Sequence, residues 1–133
     1  MILGLGTDLV DVRRIENLLK AHEDRFLEKY FTNLEAQNFQ SNKKNKNHIL
    51  YLAKRFAAKE AFAKALGVGF QDGLYMKDIE IYNNEKGKPF VRCHSGALQK
   101  LEEFVHGCKG CRLHLSLTDE PPYAQATVII EGI

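Results

Sequence analysis

The chain carries almost no excess charge of either sign. Nineteen lysines and arginines stand against seventeen aspartates and glutamates, a formal balance of +2. That is too little to imply a nucleic-acid coat, although a local basic patch is compatible with it. No run approaches the roughly 18 apolar residues of a membrane span. The opening segment, MILGLGTDLVDV, has no basic leader and meets Asp8 early, so it does not read as a signal peptide, and the cytoplasm is the expected location. No repeat recurs and no Pro- or Ser-rich linker divides the 133 residues, which makes one domain over 1–133 the expectation. Cysteine is scarce and odd in number. Cys93, Cys108 and Cys111 argue against a disulfide framework. Cys108-Lys-Gly-Cys111 raises zinc and redox readings, yet only Cys93-His94 offers a complement to a four-ligand site. The pair also stands in a turn before a strand instead of opening a helix, and so reads as turn and strand-edge cysteines.

What is present is enough for a folded core: 44% hydrophobic residues, with 27% charged residues to solubilise them. Ile2 to Leu9 alternates with period two, one face made small by Gly4 and Gly6 and ending in Asp8. Asp11 suits an N-cap for a helix carrying Val12, Ile15, Leu18 and Leu19, with a second helical piece over Glu23–Tyr30. Thr32 with Glu35 resembles a capping box. The strongest helix runs from about Asn47 to Leu66 and is stopped by Gly67 and Gly69. Strands are expected over Met76–Tyr82 and Lys88–Cys93, a helix over Ser95–His106, and a hairpin of Arg112–Thr118 with Ala124–Glu131. Helices early and antiparallel strands late give an α+β fold, with a mostly antiparallel sheet packed against the long central helix.

That long helix holds an anomaly. On a wheel of about 100° per residue, Glu60 falls inside the stripe of Ile49, Leu52, Ala53, Phe56, Ala57 and Ala63, with Lys64 beside it. An exposed i,i+4 pair gains only about 0.2–0.5 kcal/mol, which does not account for two charges on a core-facing stripe. A plain Glu–Lys pair and a functional carboxylate both remain open. Tyr51, Ala58, Phe62 and Ala65 make a second apolar stripe, so the helix is expected to be covered on two sides, with a subunit partner as one source of cover. Asp8 is either a strand-end cap or a hard-cation ligand; Mg²⁺ takes one or two carboxylates with waters and phosphate oxygens, and Asp8 plus Glu60 supply such a pair if the fold joins them.

Four stretches then resemble one family. They are Gly4-Leu-Gly-Thr-Asp-Leu-Val-Asp-Val-Arg-Arg-Ile-Glu16, Arg55-Phe-Ala-Ala-Lys-Glu-Ala-Phe-Ala-Lys-Ala-Leu-Gly67, Gly87-Lys-Pro89, and His114 through Glu131. Together they are similar to the holo-(acyl-carrier-protein) synthases, the short bacterial branch of the 4′-phosphopantetheinyl transferases, in order and spacing over essentially the whole chain. The chain departs at Asp119, where many members carry His, and at Asn84, where Asp is common.

The resemblance implies transfer of 4′-phosphopantetheine from coenzyme A to a serine of apo-acyl carrier protein, with release of adenosine 3′,5′-bisphosphate, in support of fatty acid biosynthesis. It implies Asp8 and Glu60 as Mg²⁺ ligands and Lys64 near the pyrophosphate. Arg55, Lys59, Gly67 and His114 match the coenzyme-binding region, and Arg14, Arg25 and Phe26 the surface that meets the carrier protein. It also implies a homotrimer with sites between subunits. Two other readings compete: a metal-dependent phosphohydrolase of a nucleotide-like substrate, and a non-catalytic carrier-protein-binding module.

Overall fold

A computed structural model describes residues 1–71 and 73–133. The chain runs β1 (Ile2–Asp11), α1 (Val12–Tyr30), α2 (Asn33–Ser41), α3 (His48–Leu66), a short 3₁₀ turn (Met76–Asp78), β2 (Ile79–Asn83), β3 (Pro89–Cys93), α4 (Ser95–Phe104), β4 (Cys111–Glu120) and β5 (Tyr123–Gly132). All strand pairs are antiparallel and form two sheets, β1-β5-β4 and β2-β3. The expected β4–β5 hairpin is present. β1 pairs along its length with β5, a partner more than a hundred residues away, with Asp8 opposite Ala126.

Local signals set most boundaries. Asp11 caps α1 by accepting the Arg13 amide. Thr32 and Glu35 form the reciprocal capping box. Gly67 ends α3 in the left-handed conformation at φ 76°. The two expected helical pieces meet within α1 at a kink, where His22 is non-helical (φ −152°, ψ 60°). One expectation changes: the segment expected to start β2 at Met76 is the 3₁₀ turn.

α3 lies across the inner face of the three-stranded sheet, against the alternate residues Ala124, Ala126, Val128 and Ile130 of β5, all buried. Its approach to β1 is backbone to backbone. A Cβ on Gly6 would sit 2.0 Å from the Ala61 carbonyl oxygen, and one on Gly4 would sit 2.1 Å from that of Ala65. The two glycines that narrow one face of β1 therefore let the helix settle directly on the strand. Most of both apolar stripes of α3 is buried within the chain, Leu52 and Phe56 on one side and Ala58, Phe62 and Ala65 on the other, while Ile49 and Tyr51 are half-buried. The chain's own α1, α4 and β2 pack against the helix.

The interior also holds charge. Lys59 is wholly buried and its ammonium donates to Glu35 Oε1 at 2.5 Å, the Tyr30 carbonyl at 2.8 Å and the Met76 carbonyl at 3.0 Å. Glu35 in turn accepts the amides of Thr32 and Ile81. Every donor of the ammonium is used, which is the condition for a buried cation to be tolerated. Burial pushes Lys59 below the usual lysine range, and Glu35 opposes that shift.

Candidate active site

Asp8 and α3 meet at one edge of the helix–strand contact. Because Gly6 brings the Ala61 turn onto β1, the next inward residue of the strand, Asp8, comes beside Glu60 and Lys64. Lys64 Nζ donates to Asp8 Oδ1 and to the Thr7 carbonyl, both at 3.1 Å. The Asp8 side chain is 16% exposed and that of Lys64 55%. The i,i+4 Glu60–Lys64 pair entertained from the sequence is not formed as an ion pair; the lysine reaches across to the strand.

Glu60 is half-buried, and its carboxyl is raised above the usual carboxylate range, by burial first and the Asp8 charge second, with Lys64 and Arg14 opposing. Two carboxylates side by side at a partly dry edge form a donor set that fits a hard divalent cation. Among the described residues no three His, Cys, Asp or Glu side chains gather to hold a metal by themselves. Any cation here would need its remaining ligands from water or from a bound phosphate, as Mg²⁺ commonly does.

The other anticipated residues divide. Arg14 is exposed on α1, its guanidinium 5.5 Å over the Phe56 ring, one turn of α3 before Glu60. It therefore borders the carboxylate site. Arg25 is also exposed on α1. Phe26 is only 4% exposed and packs against Tyr30, Phe31 and Phe56, with ring centroids 5.2, 5.5 and 6.2 Å away, so as a partner-contact residue it is corrected to a core residue. Lys59 as a coenzyme contact is corrected likewise, since its ammonium has no donor left for a ligand. Gly67 caps α3 one turn past Lys64's position.

Arg55 is 2% exposed, stacked 3.4 Å over Tyr51 and donating to Asn83 Oδ1 at 3.0 Å. Burial pushes its guanidinium below the usual arginine range. It lines a cleft of about 270 Å³ with Tyr51, Lys54, Asn83, Pro89 and Ser116. His114 sits on the exposed face of β4, bonded to Glu131 Oε2 at 2.7 Å, whereas Asp8 faces α3 on the other side of the sheet. Within one chain His114 and the Asp8 cluster do not share a site.

Sequence reasoning passed over the Lys54–Asp119 ion pair at 3.0 Å, which joins α3 to β4 beside that cleft, and over Asn83 as the partner of Arg55. No periodicity marks either contact. Both arise from strands folding back onto α3.

The 4′-phosphopantetheinyl transferase superfamily model matches residues 4–119. A holo-(acyl-carrier-protein) synthase of Methylorubrum populi is 47% identical over 133 residues, 100% of this chain and 96% of that protein. The crystal structure of the holo-(acyl-carrier-protein) synthase from Neisseria meningitidis matches with TM-score 0.84 at 37% identity, covering 98% of this chain and 99% of that one. The corresponding protein of Bacillus anthracis, solved in complex with CoA (3′,5′-ADP), matches with TM-score 0.80 at 31% identity over 100% and 99% of the two chains.

Proposed function

The chain belongs to the 4′-phosphopantetheinyl transferase superfamily, and on that footing we propose that it transfers 4′-phosphopantetheine from coenzyme A to a serine of apo-acyl carrier protein. In this reading Mg²⁺ is the cofactor, adenosine 3′,5′-bisphosphate is the leaving product, and the reaction serves fatty acid biosynthesis in the cytoplasm. The observation that carries it is the convergence of Asp8, Glu60 and Lys64 on one edge of the α3–β1 contact. Phosphoryl transfer asks mainly for positioning and charge stabilisation, which two carboxylates and an exposed ammonium provide. Mg²⁺ held by Asp8 and Glu60 would supply charge neutralisation to the pyrophosphate oxygens.

The remaining steps fall to the chain's own side chains. Lys64, more than half exposed, exchanges its Asp8 and Thr7 contacts for a phosphate oxygen. The serine proton leaves to Glu60, whose raised proton affinity suits it to accept one, or to a water held at Asp8. Arg55 and the cleft it lines receive the nucleotide end of coenzyme A, and Gly67 leaves space at the end of α3. Arg14 and Arg25 meet the acidic carrier protein, which brings the acceptor serine to the same edge as Asp8.

We also read the active form as a homotrimer. The sheet face turned away from α3 leaves Leu5 and Leu9 at 64% and 63% exposure, alongside His114. A neighbouring copy laid on that face buries the leucines and brings its own site to this chain's His114. The test is a mass measurement on apo-acyl carrier protein incubated with the protein, coenzyme A and Mg²⁺. The carrier gains one phosphopantetheine if the reading is right. Coenzyme A cleaved with no carrier gain replaces it with the phosphohydrolase, and binding without turnover replaces it with a carrier-binding module. Sedimentation of an active monomer removes the trimer alone.

A further inference from the structure

We propose that Cys108 and Cys111 form a reversible dithiol modification site, joined by a disulfide when the protein meets a low-molecular-weight disulfide. In the β4–β5 ladder Cys111 lies directly opposite Gly132. The Cys108 sulfur lies over the same residue, 2.7 Å from where a Gly132 Cβ would be. Directly opposed cross-strand residues point their side chains to the same face of the sheet, so the Cys111 side chain and the Cys108 sulfur converge over one glycine. The missing side chain at Gly132 is the space the Cys108 sulfur occupies.

Both thiols are free and half-buried, as is Cys93 at the end of β3. Cys93 is pushed up to about 12 by burial, with a smaller contribution from Cys111, and Cys111 is raised by burial and by Cys108. Thiolate is the attacking species, and burial disfavours it at Cys93 and Cys111. The Cys108 thiolate attacks one sulfur of R–S–S–R, forming a mixed disulfide and expelling RS⁻, which takes up the proton Cys108 released to solvent. The Cys111 sulfur, losing its proton, then attacks the Cys108 sulfur and expels the second RSH. Two protein thiols are oxidised by two electrons, and one R–S–S–R is reduced to two R–SH.

The bond would close a turn that already grips the end of the chain. The Lys109 amide donates to the Ile133 carbonyl at 2.7 Å, and the Ile133 amide to the Gly110 carbonyl at 2.9 Å. The Gly132 amide donates to the Met1 carbonyl at 2.8 Å, and the Met1 amino group returns a bond to the Gly132 carbonyl at 2.9 Å. A cross-link across Cys108–Cys111 therefore restrains the ends of β1 and β5 together.

The test equilibrates the full chain with oxidised glutathione, traps it with iodoacetamide under denaturing conditions, and reads intact mass and peptide linkage. The expected product has lost two hydrogens, alkylates once, at Cys93, and reverts with dithiothreitol. Cys93→Ser leaves the linkage intact, whereas Cys108→Ser and Cys111→Ser each abolish it. Carboxypeptidase should release Ile133 more slowly from the oxidised form than from the reduced form. Three alkylated thiols at every glutathione ratio, a link through Cys93, or a stable glutathione adduct on Cys108 would each overturn the proposal.

Discussion

Gly6→Ala adds one methyl group at the point where β1 touches α3. Neither Gly4 nor Gly6 has a positive φ, so the effect of substitution is steric and not conformational. The new Cβ would stand 2.0 Å from the Ala61 oxygen and 2.5 Å from the Ala65 nitrogen, both backbone atoms with no rotamer to escape into. An ordinary carbon–oxygen contact is about 3.3–3.6 Å, so strand and helix must part by about 1.3 Å. Overpacking of this kind costs about 1–3 kcal/mol, and the absence of side-chain relief favours the upper end. That end corresponds to a Tm lower by about 10 °C for a chain of this size.

The same displacement moves Glu60 and Lys64 away from Asp8, and a misplacement of about 1 Å costs about a hundredfold in rate. Two assays separate the effects: thermal unfolding with and without Mg²⁺, and carrier modification by mass. Gly6→Ala should lose both the Mg²⁺-dependent rise in Tm and most of the activity. Gly4→Ala, whose clash is with Ala65 one turn further along α3, should lose comparable stability but keep more of the Mg²⁺ response. An unchanged Mg²⁺ response in Gly6→Ala would refute the idea that backbone contact sets the carboxylate spacing.

Glu60 has a folded-state pKa above its ordinary value, so the native chain holds this proton more tightly than the unfolded chain, and stability from it is full below the ordinary value and lost as pH rises through the raised one. Glu60→Gln should therefore unfold at higher urea than the parent at about pH 8 without Mg²⁺ and at equal urea near pH 4, while transferring no phosphopantetheine; equal midpoints at the higher pH would contradict this. Lys59→Met leaves Glu35 buried without its cation and should cost about 3–5 kcal/mol, read as a urea midpoint lower by roughly 2 M, with coenzyme affinity of the folded protein unchanged. A midpoint within about 0.3 M of the parent would mean the pair contributes little. Arg25→Glu should lower kcat/KM for the carrier by about fivefold with reduced salt dependence and leave the Mg²⁺ requirement alone, whereas Arg14→Glu should alter both, because Arg14 lies beside Glu60; identical behaviour of the two variants would separate Arg14 from the carboxylate site.

Caps and alternation made most elements legible, since Asp11, the Thr32/Glu35 box and Gly67 act within a few residues of chain. The pairing of β1 with β5 left no local mark, so the residues alone offered Asp8 and Glu60 as a pair only on the condition that the fold joined them. The wheel flagged Glu60 correctly as out of place among apolar residues, but it missed the more deeply buried charge next to it. Lys59 is buried because Glu35, Tyr30 and Met76 converge on it from three other segments, and no one-dimensional pattern reports such a convergence. Phe26, an apolar helix position by pattern that only the resemblance assigned to the partner surface, packs inward against Phe31 and Phe56.

The Lys59 ammonium has a consequence for how the molecule opens. Four stretches of chain, ending α1, starting α2, crossing α3 and entering β2, share one cation and its carboxylate partner. None of them can peel away alone without stranding a charge or a carbonyl in an apolar interior. Sub-global fraying of this region is thereby suppressed, and the Ile81 amide should exchange its hydrogen with solvent only at the rate of whole-molecule unfolding. Glu60 is the next residue along α3, so the carboxylate at the site's edge is anchored to the last part of the protein to loosen.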